Sequence, residues 1–445
     1  MHVRKRLRNA VVGTAVIGAL AACGGGDGDG GDTPRGGQDK TGTGGTTEDA
    51  ENTEDELGAP ATRLTVPAHY DTGRGWELPL AGGEEPMVLR GAGAVATFGA
   101  GEHGDAPRFT VLDAATGEPR WSSAAVEPVH ENAVPEAFPA TVNGEEYLIA
   151  WSAGAAGADV IDRGEEVVLL DVFAADGSGN GAQPLRRVEV PGAGTARAGG
   201  AALLVEREDG TVVGVDPATG ETTEYGADAL VPPAVCKDCE PGGDIVALTA
   251  NGPLVAGHSA YDGFWVPGGW ASHENVPEGA DPAAEPSVDW VTDDVLVAAW
   301  PRTDGGSVRT VLDAATGERT ATAECRASEG AANDPDHSVF SPDGRYLVHG
   351  ALVFDLREGG GHCFEPTADT NAVEFTAATD AGTAFGVADV RAEGTWSATP
   401  TPVQLDIASG EVTETAADAV LPLADLAGAG LFVEGGTLVV YHHAG

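Results

Sequence analysis

The nine residues 110–118, TVLDAATGE, recur letter for letter at 310–318, and looser copies stand at 216–221 (DPATGE) and 406–411 (DIASGE). Each copy lies between two alternating apolar stretches, so the copied unit reads as a strand, a tight turn and a strand. The turn chemistry explains the letters. An Asp carboxylate accepts backbone N–H groups two residues on, and the Gly supplies the positive φ that closes a hairpin of roughly four or five residues.

Two further Asp residues, Asp171 after VVLL and Asp355 after ALVF, mark hairpins of the same kind. With Asp113, Asp216, Asp313 and Asp406 they stand 42 to 58 residues apart, except for the 97-residue interval from 216 to 313. That interval is double, which places one degenerate unit near residues 261–266. One unit reads in full: 287–292, 295–300, 307–312 and 319–323 are four short strands, apolar in the second and mostly polar in the fourth. The stretches 430–434 and 437–441 look like two inner strands with no outer strand after them. At the other end YDTGRGWEL, 70–78, matches the turn and following Trp of 113–121. An N-terminal strand is therefore expected to complete the last unit, leaving no open edge.

Outside the N-terminal segment no long stretch carries a 3.6-residue apolar period, so helix content should be low. The expectation is an all-β chain forming a single β-propeller of eight four-stranded blades, closed by pairing of its N- and C-terminal strands. Residues 62–443 give about 48 residues per blade, near the repeat length of four-stranded blades. Seven blades is the alternative, if 230–286 is an insertion. In a ring of eight the two identical copies stand diametrically opposite.

The stretch LDAATGEPRW, 112–121, resembles the repeat of the PQQ-type, quinoprotein dehydrogenase-like propellers, a resemblance that implies a Trp packed between blades. FSPDGRYL, 340–347, is similar to the S-P-D-G-R motif of WD40-like and TolB-type propellers. Both resemblances imply the propeller and neither implies an activity. A quinoprotein dehydrogenase would bring a catalytic Asp, a calcium site and often vicinal cysteines; the chain has no adjacent cysteine pair. No cofactor is expected, PQQ included.

Arg4, Lys5, Arg6 and Arg8 precede an apolar stretch, 10–22, too short to span a bilayer, that ends LAAC at Cys23. This resembles a bacterial lipoprotein signal and its lipobox. It implies a signal peptide over 1–22, diacylglyceryl attachment to Cys23 and an outer-face, lipid-anchored location on the plasma membrane. Residues 24–60 are rich in Gly, Thr and acidic side chains with almost no large apolar residue, which makes 23–60 a lipidated tether. The propeller then occupies 61–445.

The formal net charge is −46, from 70 acidic against 24 basic residues, and only three lysines occur. Such a charge opposes nucleic acid and close contact with an anionic bilayer. Cys236, Cys239, Cys325 and Cys363 remain after lipidation, an even number that in an exported chain reads as disulfides. Cys236 and Cys239 can pair locally, and Cys325 and Cys363 fall near the outer strands of neighbouring blades. The glycine-rich stretch at Asp176 lacks the Glu of a calcium loop, having Arg187 at position twelve. There is no G-x-S-x-G, H-E-x-x-H or P-loop motif.

The least repeat-like segment, 257–290, concentrates aromatic and imidazole groups, of which Tyr261, Trp265, Trp270 and His273 are the candidate recognition loop. The favoured function is a non-enzymatic scaffold or binding module of the cell envelope, with an envelope protein or cell-surface polymer as partner. The alternative is an extracytoplasmic enzyme, quinone-dependent or polysaccharide-active.

Overall fold

The computed structural model describes residues 58–445 apart from 82–83, 100–105, 158–160, 162, 235, 237–238, 240–241, 259–262, 293, 327–337, 392–397 and 427. The signal segment, Cys23 and Tyr261 lie outside the described residues. Regular structure among the rest is strand, interrupted by two short 3-10 turns at Ala227–Ala229 and Ser272–Glu274.

The strands form successive antiparallel meanders. The first is Met87–Leu89, Ala94–Gly99, Arg108–Asp113 and Pro119–Ser123. The second is Glu136–Val142, Glu145–Ala156, Glu165–Ala174 and Arg186–Pro191. The third is Gly194–Ala198, Leu203–Arg207, Val212–Val215 and Thr222–Tyr225. The fourth keeps only Asp244–Thr249, Gly252–Ala256 and the two-residue Phe264–Trp265.

The fifth is Ser287–Val291, Val295–Pro301, Ser307–Asp313 and Arg319–Cys325, close to the reading from sequence. The sixth is Ser338–Phe340, Tyr346–His349, Leu352–Asp355 and Gly360–Cys363; one parallel pairing, Thr322 with Gly360, joins it to the fifth. The seventh is Val373–Ala378, Thr383–Arg391, Ala398–Asp406 and Glu411–Glu414. The last is Ala424–Leu426, Ala429–Glu434 and Thr437–His443, to which Tyr70–Pro79 adds as fourth strand with Trp76 opposite Val440 and Leu78 opposite Leu438.

Ala424–Leu426 corrects one detail of the sequence reading. The stretches 430–434 and 437–441 are the second and third strands of their unit, and a three-residue strand precedes them. So short a strand carries too little alternation to be read from sequence.

Burial runs from the middle strands to the rim. Tyr346–His349 is buried throughout, whereas Glu411–Glu414 is exposed throughout. A strand covered on both faces reads as continuous apolar sequence, and a rim strand as polar. The apolar side chains gather between units. One cluster joins Phe109 and Trp121 of the first unit to Leu148 and Phe173 of the second; another joins Val353 of the sixth to Phe375 of the seventh. Each consecutive pair of units shares a cluster of this kind. A further cluster joins Leu438 and Val440 of the last unit to Val95 and Ala114 of the first.

The repeated hairpin has the chemistry its letters imply. Asp113 Oδ1 accepts from the N–H groups of Ala115 at 3.0 Å and Thr116 at 2.8 Å, and Gly117 donates back to the Asp113 carbonyl at 2.9 Å. At the second copy Thr316 N–H donates to Asp313 Oδ1 at 2.7 Å and Gly317 N–H to the Asp313 carbonyl at 2.8 Å.

The turns also receive a side chain from the preceding unit. Trp76 donates its indole N–H to the Ala114 carbonyl, Trp121 to Ala175 and Trp270 to Ala314, at 3.0, 3.0 and 3.3 Å. A Cβ on Gly117 would meet the Trp76 ring at 2.6 Å and one on Gly317 the Trp270 ring at 2.5 Å. At the turn after Asp406 the ring is His362, which lies 2.8 Å from the Ile407 carbonyl; at the turn after Asp216 it is the Arg186 guanidinium, donating to the Thr219 carbonyl at 3.2 Å. A Trp therefore serves the turn that follows its own unit, and at the turns after Asp216 and Asp406 a flat polar group takes its place.

Candidate functional site

The proposed recognition loop divides three ways. Trp265 is fully buried and Trp270 is 6% exposed, so neither offers a stacking surface and that expectation is corrected. Trp265 packs with Leu204, Val255 and Cys236 between the third and fourth units, and Trp270 is the ring that docks on Gly317. Degeneration of the fourth unit hid this: its fourth strand is reduced to a single bridge between Trp265 and Ala271, so Trp270 has no recognisable strand around it. His273 is exposed at the surface, with Nδ1 3.5 Å from Cys236 Sγ. Tyr261 falls outside the described residues.

The two cysteine pairings read as local and inter-unit are both present. Cys236 bonds Cys239, and Cys325 bonds Cys363 across the fifth and sixth units, each with a Cα separation of 5.4 Å.

A cleft of about 710 Å³ lies between the third and fourth units. Charged and polar groups line it, chief among them Arg197, Glu206, Arg207, Tyr225, Asp244 and His258. Adjacent strands position them: Arg197 stands on the first strand of the third unit, and Glu206 and Arg207 end the second, where Arg197 faces Leu204 and Thr195 faces Glu206. Arg197 Nε donates to Glu206 Oε1 at 2.8 Å while Nη2 donates across the units to the Val246 carbonyl at 3.1 Å. Arg207 Nη1 donates to Glu224 at 3.0 Å, and its Nε, buried, has no hydrogen-bond partner among the described residues. Burial pushes the Tyr225 phenol upward, so it stays a neutral hydroxyl. His258 and Asp244 face each other at 4.0 Å at the exposed mouth.

A cleft with fixed guanidinium forks, carboxylates and one phenol suits recognition of a polar, hydrogen-bonding surface. Sequence reasoning missed it, because its lining side chains stand on the ends of ordinary-looking strands and meet only through tertiary packing.

A second polar cluster lies between the fifth and sixth units. Arg309 pairs with Asp289 and with Glu365, the latter at 2.7 Å, and Ser338 Oγ is 2.7 Å from His349 Nδ1. Burial, then the nearby Arg309 charge, lowers His349 to about 4. Burial pushes the Asp289 carboxyl up, opposed by Arg309. The arrangement is an internal charge network with a neutral imidazole. Among the described residues one set of metal-type donors is free of disulfide chemistry: His69, Asp425 and His443.

No protein-family model and no curated protein matches the chain. Solved structures similar to it include BamB from Moraxella catarrhalis, at 13% identity over 83% of this chain and 98% of that one, with a TM-score of 0.30. The β-propeller domain of Cps50 (Swd1) from Myceliophteria thermophila gives 10% identity over 81% and 96%, with a TM-score of 0.36. The WD40 domain of SCAP from fission yeast gives 11% over 89% and 97%, with a TM-score of 0.32. The architecture rests on strand pairing within the chain, and these likenesses add nothing about activity.

Proposed function

We propose that the meanders are the blades of one closed eight-bladed β-propeller, held by a lipid on Cys23 at the outer face of a bacterial plasma membrane. In this reading the ring is a non-enzymatic scaffold or binding module for an envelope protein or a cell-surface polymer. Closure is supported by the apolar cluster between last and first units and by the pairing of Tyr70–Pro79 with Thr437–His443. It is also supported by Arg90 of the first unit, whose guanidinium lies 5.2 Å from the Phe340 ring of the sixth, a contact natural across a narrow axis.

The observation that carries the binding role is the cleft beside the fourth unit: polar side chains already held by one another on rigid strands lose little freedom on meeting a partner. The Gly-, Thr- and acid-rich composition of residues 24–60 suits a tether between the lipid and the ring.

Two measurements test this. Cys23→Ala should move the protein from the membrane fraction to the medium; unchanged retention contradicts the anchor. Crosslinking of the tagged chain on membranes should capture one specific envelope protein or polymer, and Arg197→Glu with Asp244→Lys should reduce that capture at least tenfold with the strand signal in circular dichroism preserved. Equal capture by the variant removes the cleft from the proposal, and turnover of a glycan or quinone by the purified chain favours the enzymatic alternative.

A further inference from the structure

We propose that His69, Asp425 and His443 bind one divalent transition-metal ion of the zinc type at the seam where the first strand meets the last. The three residues come from different parts of the chain. His69 immediately precedes the first strand, Asp425 lies in Ala424–Leu426 and His443 ends the last strand. One donor atom from each lies within 4.8 Å of the other two.

The unliganded hydrogen bonding of this cluster is incomplete in a particular way. Asp425 is almost fully buried, its side chain 1% exposed. Its Oδ2 is contacted twice, by Tyr70 Oη at 3.0 Å and by His443 Nε2 at 2.8 Å. Among the described residues its buried Oδ1 has no hydrogen-bond partner, and neither has the buried His69 Nε2. A buried donor or acceptor left unmet is costly, and two in one cluster call for an occupant that meets both.

An ion pair between His443 and Asp425 explains the 2.8 Å contact but leaves both of those atoms unmet. A cation among the three donors meets them together. The rings of His69 and His443 stand 4.3 Å apart, so small rotations bring both toward a common centre.

The donor set also selects the ion. Two imidazoles and one carboxylate suit zinc and its neighbours, whereas calcium and magnesium prefer oxygen alone. Three protein donors leave a fourth position for water. Tyr70, donating to the same carboxylate, orients it as outer partners of metal ligands do. The charge surroundings favour a cation: Asp380 lies near enough to interact with Asp425. Because His69 and His443 belong to the two ends of the folded domain, the ion would clip those ends together.

The full chain, stripped with EDTA and returned to metal-free buffer, is titrated with Co²⁺ and then Zn²⁺. Excess Mg²⁺ occupies the acidic surface, and the absence of reductant keeps Cys236 and Cys239 bonded. The expected result is one Co²⁺ per chain with a visible absorption band, displaced by Zn²⁺, and a higher thermal midpoint with metal. His69→Ala and the partly exposed His443→Ala should each weaken binding about a hundredfold while keeping the strand signal. A folded chain that takes up no stoichiometric Co²⁺ overturns the proposal and leaves a buried water as the occupant. Binding unchanged in both variants overturns it equally, by placing the metal elsewhere.

Discussion

Gly117 and Gly317 hold φ of +73° and +72°, and each lies beneath an indole from the preceding unit. Positive φ and the missing Cβ are needed at the same position, once for the hairpin and once for the ring above it. Gly317→Ala should therefore cost more than the 1–2 kcal/mol of left-handed strain alone, because the new methyl displaces Trp270 as well. Trp270→Ala should cost about 3–5 kcal/mol, read as a lower denaturant midpoint. An exposed recognition residue would instead lose binding at constant stability, which separates the two roles in one experiment. His349 supplies a pH dependence. Its pKa is about 4 in the folded chain against an ordinary 6.5, so between those values the unfolded state binds more protons. The stability it confers is complete above pH 6.5 and is lost as pH falls toward 4, on the order of 3 kcal/mol in all. His349→Gln should flatten the pH 4–6.5 limb of the stability curve; an unchanged limb contradicts the assignment.

At the scale of elements the molecule is a set of meanders stitched at their rims. The Cys325–Cys363 bridge joins neighbouring units over a sequence separation of 38, beside the parallel pairing of Thr322 with Gly360. Replacing both cysteines by Ala should lower stability by about 2–4 kcal/mol in chemical unfolding. Much of this scale was legible beforehand. The fifth unit could be read strand by strand because each strand ends in a turn residue with its own chemistry, and the outer cysteines could be placed near each other, one of three pairings then open, because each falls at or just after an outer strand. The fourth unit could not. With Phe264–Trp265 as its third strand and one bridge as its fourth, the local pattern vanishes, and two buried tryptophans look like loop aromatics. The cleft beside it escaped for another reason: Arg197 and Arg207 sit on ordinary-looking strands, and only tertiary packing brings them beside Asp244 and His258.

For the whole molecule the decisive contact lies between the two ends of the chain. YDTGRGWEL could be matched to the missing strand by its likeness to 113–121 and its Trp, although 71–75 is a bulge within the strand and not a hairpin turn. The cluster of His69, Asp425 and His443 could not be foreseen, because it depends on register across that same seam: Tyr70 opposite His443 brings the imidazoles beside a carboxylate from a third strand. If the seam closes the ring, Pro79 and Thr437, which pair across it, should accept a disulfide as Pro79→Cys with Thr437→Cys. Under mild oxidation the doubly substituted chain should crosslink internally in the folded state, migrate faster without reductant, and gain thermal stability. Two thiols that stay freely alkylated in the folded protein, with no internal crosslink, would contradict a ring closed by its first and last strands.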